Sequence, residues 1–204
     1  MEEKVEKMKA ITEEVVNLTA SPLYNERIKN EVHPVVGEGS YEADIMMVGE
    51  APGKNESLTG RPFCGSAGKI LDELLKHVDI EREDVYITNI VKDRPPMNRD
   101  PSADEINIYA PFLDRQIDII KPRILAPLGR HAMRYIFYRY VDESFKMTIS
   151  EVRGRKFKAK FSYGEVFIVP LYHPAVAIYN SSRKDELKKD FEVLRSMIKE
   201  KLSY

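Results

Sequence analysis

The sequence predicts an α/β protein, a three-layer α/β/α sandwich with a mostly parallel four-stranded central sheet. Three observations predict this fold class. Short apolar runs alternate along the chain with amphipathic helical stretches, as in a parallel sheet covered by helices. The 204 residues are enough to bury a sizeable core. The single cysteine excludes an internal disulfide and any CxxC metal framework, so apolar packing must hold the fold.

Four apolar runs are predicted to form the strands of this sheet. Each run is short, contains β-branched or aromatic residues and is closed by glycine or proline. The runs are Asp44 to Gly49, Val85 to Val91, Arg123 to Leu128 and Glu165 to Tyr172.

Helical patterns precede, separate and follow these runs. They cover Glu2 to Leu18, Ala67 to Val78, Ser102 to Ile120, Arg130 to Tyr140 and Lys184 to Leu202. The third pattern begins with a capping box, in which Ser102 is followed three residues later by Glu105. Because the chain shows no repeat, low-complexity tract or linker, we expect a single domain over residues 1–204.

Composition favours a soluble cytoplasmic protein without a membrane segment. No stretch approaches the ~18 apolar residues that span a bilayer, and the charged N-terminus lacks the apolar core of a signal peptide. The formal net charge is -1, but segments 92–99, 151–160 and 181–189 are net positive. Segment 151–160 by itself is best interpreted as a solvated face. The three segments together favour a polyanionic partner.

Polar residues follow the predicted strands at the edge where ligands bind in open parallel sheets. Glu50 follows the first strand, Asn89 lies near the end of the second, and His173 follows the fourth. Separately, they could be a helix cap, a turn residue and a partly buried histidine. Together they indicate a binding site, because asparagine matches the edge of a pyrimidine and histidine can donate to a carbonyl that gains charge.

The loop after the first strand supports this interpretation. Residues 49–68 are rich in glycine and proline, and Phe63 is their one aromatic residue. Glycines let the backbone approach a ligand, and an aromatic ring can stack on a planar base. Phe63 could also serve as a loop anchor packed on the core. The loop has neither the phosphate-binding P-loop pattern nor the dinucleotide fingerprint.

Five ordered motifs resemble the family 4 uracil-DNA glycosylases, a branch first known from thermophiles. They are GEAPG around Glu50, GRPFxGxAG around Phe63, ITNxVKxRPPxNRxP from Ile87 to Pro101, LGR from Leu128 to Arg130, and HPA from His173 to Ala175. The resemblance is collinear from about Pro22 to Arg195. It implies the uracil-DNA glycosylase-like fold and a monofunctional enzyme of base excision repair. Such an enzyme flips uracil out of DNA and hydrolyses its N-glycosidic bond, leaving an abasic site.

The resemblance also implies a role for each matching residue. Phe63 would stack on the flipped uracil, Asn89 would read its polar edge, and His173 would donate to O2. Glu50 would act beside the reacting sugar, either by stabilising its cation or by orienting water. The pocket would be completed by Gly49, Ala51, Glu56 and Asn98.

The contacts with DNA are expected to come from loops. In the family an apolar side chain after the HPA motif wedges into the duplex. Here the matching run is Ala177, Ile178 and Tyr179, in which Ile178 keeps an apolar wedge and Tyr179 offers a ring that could stack. The alternative is that both residues pack the loop against the final helix. The cations expected to contact DNA are Arg94, Arg99, Arg130, Arg183 and Lys184. The expected partner is uracil-containing DNA, bound by a monomer, and any replication or repair protein partner stays open.

One departure from the family concerns its [4Fe-4S] cluster. The four cysteine positions of the family are Leu18, Ser21, Asp93 and Tyr109 here. None of these side chains supplies a thiolate, so we expect no cofactor and no metal. Packing by Leu18 and Tyr109, or a hydrogen bond between Ser21 and Asp93, is expected to order the N-terminal segment instead.

Three other function classes are compatible with parts of the sequence. A non-catalytic reader of damaged DNA could use the same scaffold, and a glycosylase could accept another deaminated base. A metal-dependent phosphoesterase is disfavoured, because the four histidines show no ligand spacing in the sequence.

Overall fold

The computed structural model describes residues 1–201 and contains a six-stranded mixed sheet with helices on both faces. The strands are β1 (Glu38–Gly39), β2 (Ile45–Gly49), β3 (Tyr86–Asn89), β4 (Ile124–Pro127), β5 (Phe157–Phe161) and β6 (Gly164–Ile168). Their order across the sheet is β1-β3-β2-β4-β6-β5. The central four are parallel, and β1 and β5 are antiparallel edges. The α/β sandwich class is therefore confirmed.

The predicted sheet has four strands, whereas the structure has six, because the two edge strands were not predicted. The four predicted runs form the parallel centre, but β1 has only two residues, too few for a periodic signal. In β5 the sequence FKAKF alternates lysine with apolar residues, and we interpreted this segment as a solvated face. Lysines are common on edge strands because they discourage pairing with another chain. The ladder of β6 ends at Ile168, after which Leu171 forms an isolated bridge to Leu128.

Nine α-helices lie within the described residues. They are α1 (Glu2–Val16), α2 (Tyr24–Lys29), α3 (Lys54–Thr59), α4 (Ser66–His77), α5 (Ala103–Ile120), α6 (Arg130–Tyr140), α7 (Ile149–Val152), α8 (Val176–Tyr179) and α9 (Lys184–Lys201). The predicted α4, α5 and α6 agree within one residue at each end, and α1 ends before Leu18. The predicted end of α9, Leu202, lies outside the described residues. The short α2, α3, α7 and α8 were missed because so few residues carry no helical period.

The predicted capping box is present at the start of α5. The Ser102 hydroxyl accepts from the Glu105 amide at 3.2 Å, and the Glu105 carboxylate accepts from the Ser102 amide at 2.8 Å. These two bonds satisfy backbone donors that a helix start leaves without partners. They also fix where the preceding loop enters α5.

Two apolar clusters cover the two faces of the sheet. On β2, Met46 and Val48 pack with α1, α5 and α6, whereas Ile45 and Met47 pack with α4 and α9. Burial on both faces explains why the central strands are almost continuously apolar in sequence. It also places the carboxyl ends of all four parallel strands at one edge. In the described part of the chain, no helix is long and apolar enough to cross a membrane.

The positions that would hold an iron-sulfur cluster instead carry a hydrogen-bonded network. The Tyr109 hydroxyl lies 2.8 Å from the Ser21 hydroxyl and 2.6 Å from the Asp93 carboxylate. Arg27 donates to both oxygens of Asp93 at 3.1 Å, and all four residues are buried. Leu18 packs against the adjoining apolar cluster. Tyr109 therefore bridges the two residues that we expected to bond directly, and these side chains do not fit a cluster that needs four thiolates.

Candidate active site

The carboxyl ends of the parallel strands meet around a pocket of about 380 Å³. Gly49 and Asn89 are neighbours in the register of β2 and β3, and the Gly129 amide donates to the Leu171 carbonyl at 2.8 Å. Seven of the residues predicted to bind the base or act on it line the pocket: Glu50, Ala51, Glu56, Phe63, Asn89, Asn98 and His173. The volume is within the range of small-molecule sites.

Gly49 does not line the pocket but lies directly behind its wall. A Cβ atom at this position would be 2.2 Å from the Asn89 side-chain oxygen and 3.0 Å from the Phe63 ring. No other residue type fits there without displacing both side chains. Gly49 therefore allows Asn89 and Phe63 to take their positions.

Asn89 presents an unsatisfied amide to the pocket. The residue is only 2% exposed, and its side chain makes no hydrogen bond to the described part of the chain. An amide that faces a pocket and makes no hydrogen bond to the protein is available to a ligand. Its position at the end of a central strand makes the amide rigid, so it can pair with one donor and one acceptor on a planar ligand.

Lys92 holds the strand end that carries Asn89. Its ammonium donates to the Asn89 carbonyl at 2.7 Å, to Thr88 Oγ1 at 2.7 Å and to Gln116 Oε1 at 2.6 Å. Complete burial lowers the pKa of Lys92 well below its ordinary value. The three acceptors favour the charged form instead, because they match the three N–H donors of an ammonium. The net positive charge of segment 92–99 predicts that Lys92 faces a polyanion. That interpretation is wrong, because the side chain is fully buried.

His173 is held as a neutral donor. Its Nδ1 atom accepts from the Ala175 amide at 3.2 Å, so the ring proton lies on Nε2. Burial lowers the pKa of His173 to about 4, which keeps the imidazole neutral near neutral pH. Gly129 packs against the ring at a φ of 91°, and a Cβ there would be 3.0 Å from His173 Cβ. Only glycine adopts that backbone conformation without strain.

Phe63 lies on the pocket wall beside His173. The two ring centroids are 5.5 Å apart with a tilt of 33°. Phe63 has a φ of 47°, a conformation that is unfavourable for a residue with a side chain and often occurs at functional sites. Glu56 fixes the loop, because its Oε1 accepts from the amides of Cys64 at 3.1 Å and Gly65 at 2.9 Å. Phe63 is thus both a pocket residue and an anchored one.

Glu50 belongs to a charged group at the pocket mouth that includes two residues missed in the sequence. His131, on the first turn of α6, places Nδ1 3.8 Å from Glu50 Oε1 and Nε2 3.2 Å from Asp100 Oδ2. Arg130 Nε donates to His131 Nε2 at 2.8 Å. Burial and the charge of Asp100 raise the pKa of Glu50 to about 7, and Arg130 opposes that shift. The only signal in the sequence was that His131 follows a strand end.

Two carboxylates and one imidazole of this group lie close together, and Arg130 supplies the positive charge beside them. One potential ligand atom each from Glu50, Asp100 and His131 lies within 4.8 Å of the others. The histidines show no ligand spacing in sequence, and the fold nevertheless brings one of them to two carboxylates. The guanidinium of Arg130 donates to His131 and is 3.9 Å from Asp100, so a positive charge already lies against this group.

Two of the predicted DNA-contacting cations are bound within their own loop. Arg94 Nε donates to Asn98 Oδ1 at 2.7 Å, which orients a pocket residue. Arg99 makes two bonds to Glu105, at 2.8 and 2.6 Å. These contacts orient both guanidinium groups, and Arg99, which is 46% exposed, also lines the pocket.

The other three cations differ in exposure. Arg130 is 65% exposed at the pocket mouth. Arg183 lies against the Tyr172 ring and donates to its hydroxyl at 3.3 Å, and Lys184 forms an ion pair with Glu73. Of the five predicted cations, Arg130 is therefore the one most open to a phosphate.

Exposed apolar side chains surround the pocket mouth. Ile178 and Tyr179 line the pocket from α8 and are 47% and 89% exposed. This exposure does not favour the alternative that both residues pack the loop against the final helix. Met97 is 92% exposed in the loop beside Asn98 and was missed in the sequence. Exposed apolar groups of this kind are characteristic of binding surfaces.

Comparison with known proteins agrees with this geometry. A sequence profile described as the Uracil DNA glycosylase superfamily matches residues 36–195. The chain is 45% identical over 194 residues to the type-4 uracil-DNA glycosylase of Sulfurisphaera tokodaii, covering 95% of this chain and 86% of the relative. It is 46% identical over 170 residues to that of Saccharolobus solfataricus, covering 82% and 77%.

A third relative matches this chain over nearly the full length of both proteins. The type-4 uracil-DNA glycosylase of Thermotoga maritima is 40% identical over 198 residues, covering 95% of this chain and 96% of the relative. The profile spans all four strand ends that form the pocket. The chain therefore belongs to the uracil-DNA glycosylase superfamily and, within it, to the type-4 uracil-DNA glycosylases.

Proposed function

We propose that this chain excises uracil from DNA as a monofunctional glycosylase. The observation that carries the proposal is the pair of unsatisfied polar groups in the pocket, the Asn89 amide and the His173 Nε2–H. A flipped base must be read by hydrogen bonds to its polar edge and by stacking in a closed pocket. Phe63 supplies the ring beside these two groups.

In the proposed reaction the bond between the sugar C1′ and uracil N1 breaks, and its electron pair leaves with the base. The negative charge spreads to O2 and O4, where His173 and Asn89 would donate. Preorganised donors placed where charge develops lower the barrier more than groups that must reorient. Glu50, as an anion, would stabilise the sugar cation or orient the water whose oxygen adds to C1′. The water's proton leaves to solvent, and an abasic site remains.

Several finer features belong to the same proposal. We expect a single domain spanning residues 1–204, and its support is that both apolar clusters share one sheet. We also expect the protein to act as a monomer in the cytoplasm and to need no cofactor. Light scattering of the purified protein with and without DNA tests the monomer.

The test of the function is incubation with an oligonucleotide that contains one uracil, followed by alkali to cut abasic sites. We expect release of free uracil and strand cleavage only after alkali. Oligonucleotides containing thymine, cytosine or hypoxanthine instead define the accepted bases. An Asn89→Ala variant purified in the same way controls for a contaminating glycosylase. Binding without base release would indicate a damaged-DNA reader and overturn the proposal.

A further inference from the structure

The group formed by Glu50, Asp100, Arg130 and His131 lies at the entrance of the pocket. His131 is the central member, because its two ring nitrogens face different partners. The Glu50 carboxylate makes no hydrogen bond within the described residues. His131 Nδ1, which can carry a proton, faces it at 3.8 Å. Glu50 otherwise has no partner there to fix its orientation.

The contact with Arg130 determines where the imidazole proton lies. An arginine Nε–H can only donate, so His131 Nε2, 2.8 Å away, must accept. The proton of the neutral ring is then on Nδ1, which faces Glu50. The distance of 3.8 Å is beyond a hydrogen bond, but catalytic contacts are often long in the free enzyme and shorten when substrate binds.

We propose that His131 is a positioning residue for Glu50, whose carboxylate accepts the His131 Nδ1–H and is thereby oriented toward the reacting sugar and kept ionised. Arg130 sets the tautomer, and the Asp100 carboxylate, 3.9 Å from the Arg130 guanidinium, helps to hold that guanidinium beside the ring. The inference rests on the proposed uracil excision, in which Glu50 acts as an anion.

The charges around the group make this contact matter near neutral pH. Burial and Asp100 raise the pKa of Glu50 to about 7, and Arg130 lowers it. Burial also lowers the pKa of His131, with Arg130 and Arg134 acting in the same direction and Asp100 opposing them. The adjoining groove adds Glu143 and Lys146 to the charged groups beside Glu50 and His131. A neutral donor facing a half-ionised carboxylate favours its anion.

The experiment measures single-turnover uracil release between about pH 5.5 and 8.5 for the full chain. In His131→Ala the loss of the donor should raise the pKa of Glu50, so the acid limb of the profile moves to higher pH by about 0.5 to 1 unit. The rate should fall several-fold at the acid end and little at the alkaline end. In His131→Asn the amide N–H replaces Nδ1–H and should keep the limb near its original position.

A second pair of variants keeps the test decisive. In His131→Gln the side-chain amide lies nearer to the position of Nε2 than to that of Nδ1. The acid limb of this variant should therefore move to higher pH, as it does not in His131→Asn. This comparison tests the inference even if His131→Ala fails to fold. In a Glu50→Gln background the profile should lose its acid limb, and His131→Ala should cause no further shift. An equal loss at every pH, or the same profile for the Asn and Gln variants, would overturn the inference. If the unaltered protein releases no uracil, the proposed function fails instead.

Discussion

At the scale of single residues, the two pocket donors are neutral and fixed. His173 has its Nδ1 bonded to the backbone and its proton on Nε2, while Lys92 holds the backbone of Asn89. A neutral donor avoids the cost of burying an imidazolium in the free enzyme and still stabilises an anion that forms in the transition state. The pocket is therefore suited to a leaving group that becomes negative.

We predict that Asn89→Ala and His173→Ala each lower single-turnover uracil release by at least about two orders of magnitude. Loss of one such donor typically costs about 3 to 4 kcal/mol of barrier. Affinity for undamaged DNA should barely change, since both side chains line the pocket and not the surrounding surface. Rapid-quench cleavage and anisotropy with unmodified duplex measure the two quantities.

The matched control is His77→Ala, which removes an imidazole from the end of α4, where it faces Glu192. This variant should cleave like the unaltered protein. Near-normal cleavage by either pocket variant would exclude that residue from the stabilisation of the leaving base.

At the scale of elements, short helices and loops carry the surface that meets DNA. Helix α8 has only four residues, and two of them, Ile178 and Tyr179, are exposed at the pocket mouth. Exposed apolar side chains that lie together at a pocket mouth mark an interaction surface. A wedge that fills the space of a flipped base would provide that partner.

We predict that Ile178→Ala lowers uracil release most from a U:A pair in duplex, less from a U:G mismatch and least from a single strand. A wedge is useful only where a stacked base must be displaced, and mismatched or unpaired bases are displaced more easily. Single-turnover rates on the three substrates measure the order. Ile28→Ala, which truncates a 56% exposed isoleucine on α2, is the control and should change none of them. An equal loss on all three would mean that Ile178 supports the fold.

A second element-scale feature joins the N-terminal helices to α5. The Tyr109 hydroxyl, on α5, contacts Ser21 and Asp93, and Arg27 completes the network from α2. Burial raises the pKa of Asp93, whereas Tyr109 and Arg27 oppose that shift by favouring its ionised form. A polar network of this kind is stabilising only while all its members are satisfied.

We predict that Tyr109→Phe lowers the free energy of unfolding by about 1 to 3 kcal/mol, because it leaves buried polar groups without a partner. Uracil release at moderate temperature should stay close to normal, since Tyr109 is outside the pocket. Denaturant unfolding measures the first quantity, and Tyr138→Phe, at a 63% exposed tyrosine, is the control. Equal stability of the two variants would show that the network contributes nothing measurable.

At the scale of the whole molecule, stability has to come from packing and this network. The described chain has one half-buried cysteine, Cys64, and its sulfur lies 3.2 Å from the Thr59 hydroxyl. The positions of the family's cluster are filled by side chains that bond to one another. Nothing in that arrangement offers four thiolates to iron.

We predict that the purified protein contains no stoichiometric iron and releases uracil at the same rate after treatment with a chelator. The reason is that thiolates bind iron-sulfur clusters, and the leucine, serine, aspartate and tyrosine at these positions do not. Elemental analysis and the visible absorption spectrum measure the first outcome. A cysteine-containing type-4 enzyme purified in parallel is the positive control. Stoichiometric iron in this chain would contradict our interpretation of these four positions.

The three segments that are net positive in the sequence do not form one basic surface in the folded protein, because many of their cations have partners. Segment 151–160 forms part of an edge strand, in which Lys158 pairs with Glu165, and Arg153 binds Asp190 on α9. Segment 92–99 begins with a buried lysine, and segment 181–189 contains Lys184, which pairs with Glu73. Several cations of the basic segments are thus paired with carboxylates of the protein itself, and Lys92 is buried.

The sequence by itself determined the central strands, the long helices, the capping box of α5 and the pocket residues Glu50, Phe63, Asn89 and His173. These features are local, because a period, a cap or a residue at a strand end is encoded within a few neighbouring positions. The parallel sheet then brings the strand ends together without further information.

Only the tertiary structure decided which charges meet across distant segments. Asp100 and His131 reach Glu50 because α5 and α6 pack on the same face of the sheet, and Tyr109 reaches Ser21 across 88 residues. The tertiary structure also decided that Lys92 is buried and that Ile178 is exposed. Such contacts depend on packing among elements far apart in the chain, and no local pattern of residue types specifies them.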